Sequence, residues 1–234
     1  MGKMLEPKNV NLRLERFEYR IVYSKCGRAK YISHLDLMRA IQRAIKRSKL
    51  PVWYTQGFNP RIYLMFPLAL SLGVESHVEI MDFALVEDLG FEEVKARLDA
   101  QMPPDMEVVS VSRPVHKHTD ITSAEYEISF NANISSGECK KLFEEYLGQE
   151  KIEIEKRSKK KGVNLVDIRP HINVTELTEN GEYVKIKMIL PAGTGFNLNA
   201  NVVMDTFFEM YKIECDQICI ERTKILMDNG ESFT

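Results

Sequence analysis

A cluster of cations in a predicted helix is the part of this sequence best suited to bind an anion. Asp and Glu, which normally intersperse the cations of a solvated helix face, are absent between Leu37 and Glu75. A phosphate-bearing partner therefore explains this face better than solvent alone. The alternative, a solvent-exposed helix face whose cations near the C-terminus are stabilised by the helix dipole, stays open. The cations recur at spacings that share one helix face, and they are Arg39, Arg43, Lys46 and Arg47, with Lys49 following.

An aromatic-rich turn follows this helix directly, in the segment LPVWYTQGFNPR, where Gly57 and Pro60 favour a turn. Aromatic rings interleaved with amides and cations stack unpaired bases and read their edges. The alternative is that the rings fill the core between a sheet and a helix. Both interpretations hold if one aromatic ring is buried in the core and another is exposed to a ligand. The residues that we predict to bind here are Trp53, Tyr54, Gln56, Phe58, Asn59 and Arg61.

Two histidines are candidates for acid–base catalysis. His34 lies beside Asp36 at the start of the helix, and His171 follows Arg169-Pro170 in the second half. The alternative at the first position is structural, because Ser33 is a typical helix N-cap and Asp36 stands three residues later, in the position of a capping-box acid. No Ser/His/Asp or Cys/His catalytic pattern is evident from spacing.

The second half offers three weaker phosphate signals. The basic run EKRSKKK contains Lys156, Arg157 and Lys159 to Lys161, and such a run is typical of a phosphate-binding loop or of a solubilising one. Arg169 precedes a proline, which restricts it to extended geometry. Gly193 and Gly195 precede a predicted helix, where glycines let backbone N–H groups approach an anion, although a plain strand-to-helix turn is equally consistent.

Composition separates a basic start from an acidic remainder. Residues 1–61 contain 14 Lys and Arg against 4 Asp and Glu, whereas the whole chain carries a formal charge of −2. This asymmetry indicates an anionic partner for the basic part. Four cysteines without a C-x-x-C pair are typical of reduced thiols, and His116-Lys117-His118 is a poor metal motif. Without a signal peptide or a long apolar run, we expect a cytoplasmic protein with no metal and no cofactor.

Alternating and helical periodicity predict the order β-α-β-β-α-β twice. We expect an α+β protein with two tandem ferredoxin-like units, whose antiparallel sheets are half-covered by helices. Residues 1–16 would form a flexible lead-in, residues 17–115 the first unit and residues 123–228 the second. Predicted helices cover 91–101, 136–148, 198–211 and the segment from Ser33 to Pro51. Predicted strands cover 17–24, 61–68, 77–86, 106–113, 124–131, 151–158, 171–178, 182–190 and 217–227. The second half therefore has one strand more than the first, or one irregular excursion at 158–170.

The motifs YISHLDLMRAIQRAI, YTQGFNP, LGVES, VDIRPHI and LPAGTGFNLN resemble the radical-SAM-linked family of bacterial proteins, whose domain is also found fused to cobalamin-binding radical SAM proteins. The resemblance spans residues 17–215. It implies a radical SAM partner and, because family members are often encoded near an RNase G-type ribonuclease, an RNA setting. The family's QGFNP is commonly followed by His-Pro, whereas Arg61 and Ile62 stand here. This change preserves anion binding and removes the acid–base group.

Together these observations predict an accessory module that binds RNA and works with a radical SAM partner. The chain lacks the C-x-x-x-C-x-x-C motif, so it is not itself the radical SAM enzyme. Two alternatives stay open. One is a protein-interaction subunit of a radical SAM system that binds no nucleic acid. The other is a metal-independent ribonuclease using His34 or His171.

Overall fold

The computed structural model describes residues 15–56, 58–158 and 162–233. Residues 1–14, Gly57, Lys159 to Lys161 and Thr234 lie outside the described residues, so the structure does not test most of the predicted lead-in or the tip of the basic run. The described helices are α1 His34–Arg47, α2 Phe91–Asp99, α3 Ser136–Gly148 and α4 Ala200–Tyr211. The strands are β1 Phe17–Lys25, β2 Leu64–Met65, β3 Glu75–Leu85, β4 Val108–Ser112, β5 Ile121–Ala132, β6 Glu153–Ser158, β7 Gly162–Asp167, β8 Asn173–Asn180, β9 Tyr183–Pro191 and β10 Cys215–Met227.

Strands from both halves form one large sheet in the order β4-β1-β3-β10-β5-β9-β8, with β2 paired to β3. All its pairings are antiparallel except the one between β3 and β10. The predicted α+β class is confirmed. The sheet is continuous, however, and not divided into the two sheets that we predicted, because β10 runs beside β3 at Glu75 and Ser76.

Helix α1 begins as the sequence predicts. The Ser33 hydroxyl accepts a hydrogen bond from the Asp36 backbone N–H at 3.2 Å, which satisfies one of the free donors at the helix start. Its apolar stripe is buried through Leu37, Ile41 and Ile45. Leu35, which shares the helical spacing of this stripe, is nevertheless 63% exposed.

Two hydrophobic cores lie under the helices. The first joins α1 and α2 to alternate residues of β1 and β3, such as Tyr19, Ile21 and Phe83. The second joins α3 and α4 to the strands of the second half, with Phe143 and Phe207 in edge-to-face contact at 5.0 Å. Each pair of helices therefore covers its own part of the sheet.

A buried ion pair links the two halves. The Arg222 guanidinium on β10 donates to both carboxylate oxygens of Glu79 on β3, each at 2.6 Å, and both side chains are nearly inaccessible. Arg222 also donates to the carbonyl oxygens of Leu68 and Ala69 at 3.4 Å. These bonds satisfy a charge that would otherwise be costly to bury.

Two predicted elements differ in the structure. The strand expected over 61–68 is reduced to Leu64–Met65, because the chain before it pairs with itself through the Tyr54–Ile62 bridge. The excursion expected at 158–170 is mainly strand β7, which pairs with β6 as a separate two-stranded sheet.

Candidate functional site

The cations of α1 are exposed, and their neighbours divide them into two groups. Arg39 is bound to Asp36 at 3.0 Å, and the Arg47 guanidinium donates to the backbone oxygen of Gln101 at 2.8 Å. The side chains of Arg43 and Lys46 have no hydrogen bond or ion pair to any described residue. The charge available to a ligand therefore lies in the second half of the helix.

Asp36 remains ionised at neutral pH. Hydrogen bonds from the Ser33 hydroxyl and the Arg39 guanidinium lower the pKa of its carboxyl group below the ordinary value. Its negative charge offsets Arg39 at the start of the helix. Helix capping and ion pairing therefore account for the presence of Asp36 at this position. Among the described residues, Asp36 forms no hydrogen bond with His34.

The turn after α1 is a closed loop. The Thr55 backbone N–H donates to the Arg61 carbonyl oxygen at 2.8 Å, and the Arg61 N–H donates to the Thr55 hydroxyl at 3.1 Å. These bonds hold the loop that carries Gln56 and Asn59, both exposed. Phe58 is fully exposed at the tip. An exposed aromatic ring on a closed loop is available for stacking.

Trp53 and Tyr63 form the base of this loop. Their rings meet edge to face at 6.1 Å, and the Arg16 guanidinium lies over both, 5.4 Å from the Trp53 ring centre and 4.9 Å from that of Tyr63. Trp53 is half-buried and its indole nitrogen is buried without a hydrogen-bond partner among the described residues. Tyr54, in contrast, is 41% exposed. The Trp53 ring is therefore partly covered, whereas the rings of Tyr54 and Phe58 are exposed.

The free cations of α1 and the loop lie near each other along the chain. Lys49 is exposed just beyond the helix, and Tyr54 lies five positions further along the chain, so their Cα atoms are at most about 18 Å apart. Arg61 is exposed at the far side of the loop. We call this set the basic surface, and it comprises Arg43, Lys46, Lys49, Tyr54, Phe58 and Arg61.

The two candidate histidines pack against phenylalanine rings. His34 meets Phe66 edge to face at 5.4 Å, and His171 lies 4.4 Å from Phe196. Neither His34 nor His171 forms a hydrogen bond from its ring to any described residue. The structure places them over different cores, because Phe66 packs against the first and Phe196 against the second.

The remaining predicted residues lie in the second half. The Arg169 Nε–H donates to the Leu147 carbonyl oxygen at 2.5 Å, which caps the end of α3. Gly193 has φ +107°, and a side chain there would overlap the Ile121 carbonyl oxygen. Gly195 lies in open space. These contacts give Arg169 and Gly193 structural roles within the second half.

Two contacts are not indicated by any pattern in the sequence. Arg16 reaches the Trp53 ring from the start of β1, and no spacing pattern links these distant positions. The Cys26 thiol lies 3.4 Å from the His77 Nε2. Burial and the carboxylates of Glu75 and Glu221 raise the pKa of Cys26, so its reactive thiolate form is disfavoured at neutral pH.

The described residues contain no group of three or more His, Cys, Asp or Glu side chains arranged to hold a metal ion. Within the same part of the chain, no helix is long and apolar enough to cross a membrane.

Comparisons with known proteins give a family but no activity. No curated protein matches the sequence. A solved structure described as the crystal structure of an unknown protein from Galdieria sulphuraria is similar over 89% of this chain and 99% of that chain, at 12% identity and a TM-score of 0.27. A TM-score this low supports no conclusion. The model of the DUF2344 family, described as uncharacterized protein conserved in bacteria, matches residues 18–200. Since this match covers most of the chain, the protein belongs to the DUF2344 family.

Proposed function

We propose that this protein is a cytoplasmic accessory module that binds single-stranded RNA on the basic surface and works with a radical SAM partner protein. The observation that carries the proposal is the pairing of unengaged cations, Arg43 and Lys46, with an exposed aromatic ring, Phe58, on a closed loop. Cations attract phosphates and rings stack on unpaired bases.

Electrostatics of the rest of the chain support this location. Residues 62–234 carry 30 Asp and Glu against 18 Lys and Arg, so most of the protein repels a polyanion. The basic surface lies within the stretch between Leu37 and Glu75, which contains no Asp or Glu. An anionic strand is therefore attracted to one region of the protein and repelled by others.

We also propose that the two halves, residues 17–115 and 123–228, are ferredoxin-like units joined edge to edge. The strand orders of the two halves support this proposal, and they are β4-β1-β3, with β2 beside β3, and β10-β5-β9-β8. In each half the first strand of the β-α-β-β-α-β order lies at the centre, between the last strand and the strand before the second helix. The β6–β7 hairpin would then be an insertion in the second unit.

Fluorescence anisotropy of labelled tRNA and rRNA fragments tests the proposed function. We expect binding at low salt that weakens steeply as salt rises. Alanine at Arg43 and Lys46 should weaken binding about tenfold. The matched control is alanine at Lys141 and Lys185, two exposed cations of the second half. Absence of binding at low salt, or equal weakening in both double variants, would overturn the proposal.

A second candidate function is a protein-interaction subunit without nucleic acid. It is favoured by exposed apolar side chains at the start of α1, where Tyr31 is 66% and Leu35 63% exposed. Leu72, 57% exposed, is brought near them by the bond from the Gly73 N–H to the Lys30 carbonyl oxygen at 2.9 Å. Clustered apolar surface of this kind is typical of protein contacts.

Co-purification with a radical SAM protein separates the two functions. The interaction subunit would be supported if the wild-type protein binds no RNA and its complex survives nuclease treatment. The Leu35→Asp variant should then fail to form the complex. A complex lost on nuclease treatment would support the RNA-binding module.

A further inference from the structure

We propose that Trp53 and Tyr63 form a subsite for one unpaired nucleobase of single-stranded RNA, and that Arg16 occupies this subsite when RNA is absent. The inference rests on the proposed RNA-binding function and names where a base is held. It starts from the edge-to-face ring pair at the base of the loop and from the guanidinium that lies over both rings.

The indole nitrogen of Trp53 indicates what the subsite takes. An indole N–H is a donor only, and a buried donor without a partner is unfavourable. The Trp53 Nε1 is such an atom within the described part of the chain. A ligand that supplies an acceptor beside the ring would satisfy it, and every nucleobase combines a flat ring with acceptor atoms at its edge.

Arg16 resembles such a ligand in shape but not in hydrogen bonding. Its guanidinium is planar and stacks on aromatic rings as a base does, yet it carries donors only and leaves the indole N–H unpaired. Its side chain is 42% exposed, and its ion-pair partner Glu18, 2.5 Å away, is 35% exposed, so Arg16 can move outward without unpacking the core. A base that displaces it gains the acceptor contact that Arg16 lacks.

The position of the subsite is compatible with an RNA strand bound to the basic surface. Thr55 and Arg61 close the loop directly above Trp53, and Tyr63 is hydrogen-bonded through its backbone N–H to the Trp53 carbonyl oxygen at 3.3 Å. One base in the subsite and another stacked on Phe58 would place the intervening phosphates near Arg61.

Trp53 is the only tryptophan, so its emission reports on this subsite alone. The probes are a labelled single-stranded hexaribonucleotide and an abasic oligonucleotide of equal length and charge, each followed by anisotropy and by tryptophan emission. We expect the hexaribonucleotide to bind and quench the emission. The abasic strand should bind about tenfold more weakly and leave the emission unchanged, because it keeps the phosphates and lacks the stacked bases.

Two variants complete the test. Trp53→Leu should bind the hexaribonucleotide about as weakly as wild type binds the abasic strand. Arg16→Lys keeps the charge but covers the rings less well, so we expect a larger fraction of the emission to be quenched and an affinity about two- to fivefold higher. Arg113→Lys is the matched control, since Arg113 lies 4.2 Å from the Tyr19 ring centre, outside the loop.

The two proposals fail in different ways. Binding by anisotropy with unchanged wild-type emission would overturn the base subsite and leave RNA binding intact; this outcome needs no variant to fold. Absence of any anisotropy change with either strand would overturn RNA binding, and the subsite with it.

Discussion

Several cations that the sequence singles out already bind neighbouring groups. Arg47 meets Gln101 just beyond α2, and Arg169 meets Leu147 in α3. Helical spacing predicts which face a side chain shares, but it does not predict which residue of another element lies opposite. The cationic face and the aromatic loop were therefore predictable, whereas the distinction between engaged Arg47 and unengaged Arg43 required the fold.

Replacement of Gly193 tests the packing role of a residue that the sequence linked to anions. Gly193→Ala should destabilise the protein by about 2 kcal/mol or more, because φ +107° is strained for alanine and its Cβ would overlap the Ile121 carbonyl oxygen. Gly195→Ala is the control, since its Cβ meets no atom within 4 Å. Urea denaturation measures both, and equal stability of the two variants would contradict this role.

Secondary-structure elements with strong periodicity were predicted closely, and those shaped by long-range pairing were not. Helix α3 spans the predicted residues 136–148 because a serine N-cap and an apolar stripe define it locally. Strand β2 is short because residues 53–63 pair with each other and with β3. Its length is decided by partners distant in sequence, which periodicity does not contain.

The pairing of β5 and β10 includes a charged contact whose pH dependence can be measured. Partial burial opposes ionisation of Glu125, but hydrogen bonds from Thr223 and Lys224 hold its pKa below the ordinary value of 4.5. A depressed folded-state pKa contributes stability above the ordinary pKa that is lost as the pH falls through the folded value.

Glu125→Gln should therefore cost about 1 kcal/mol of unfolding free energy at pH 7. The difference from wild type should shrink as the pH falls below 4.5. Glu127→Gln, which loses a more exposed pair with Lys187, should cost less. Urea denaturation across this pH range measures the effect, and a cost for Glu125→Gln that grows toward acid pH would contradict the assignment.

The two halves of the molecule are joined by the contact between strands β3 and β10. The element order of each half was predicted, but the Arg222–Glu79 pair, beside the parallel contact of β3 with β10, joins residues 143 positions apart. Neither residue has a local pattern that distinguishes it from a surface charge. The continuity of the sheet was therefore not predictable from periodicity.

Arg222→Met should cost about 3–5 kcal/mol, because it leaves the Glu79 carboxylate buried without a partner. A second change, Glu79→Leu, should restore much of this stability. Urea denaturation followed by Trp53 emission, which reports the first half, and by circular dichroism, which reports both halves, should give one shared transition in wild type. Separate transitions in wild type would contradict a single cooperative unit.

Salt-dependent RNA binding tests the central claim most directly. For wild type and for the Arg43/Lys46 double alanine variant, the slope of log affinity against log salt counts phosphate contacts. We predict that the variant's slope is shallower by about 1.4 for a single strand, while the Lys141/Lys185 control keeps the wild-type slope. Equal slopes for all three proteins would show that the basic surface does not hold the phosphates and would contradict the proposed function.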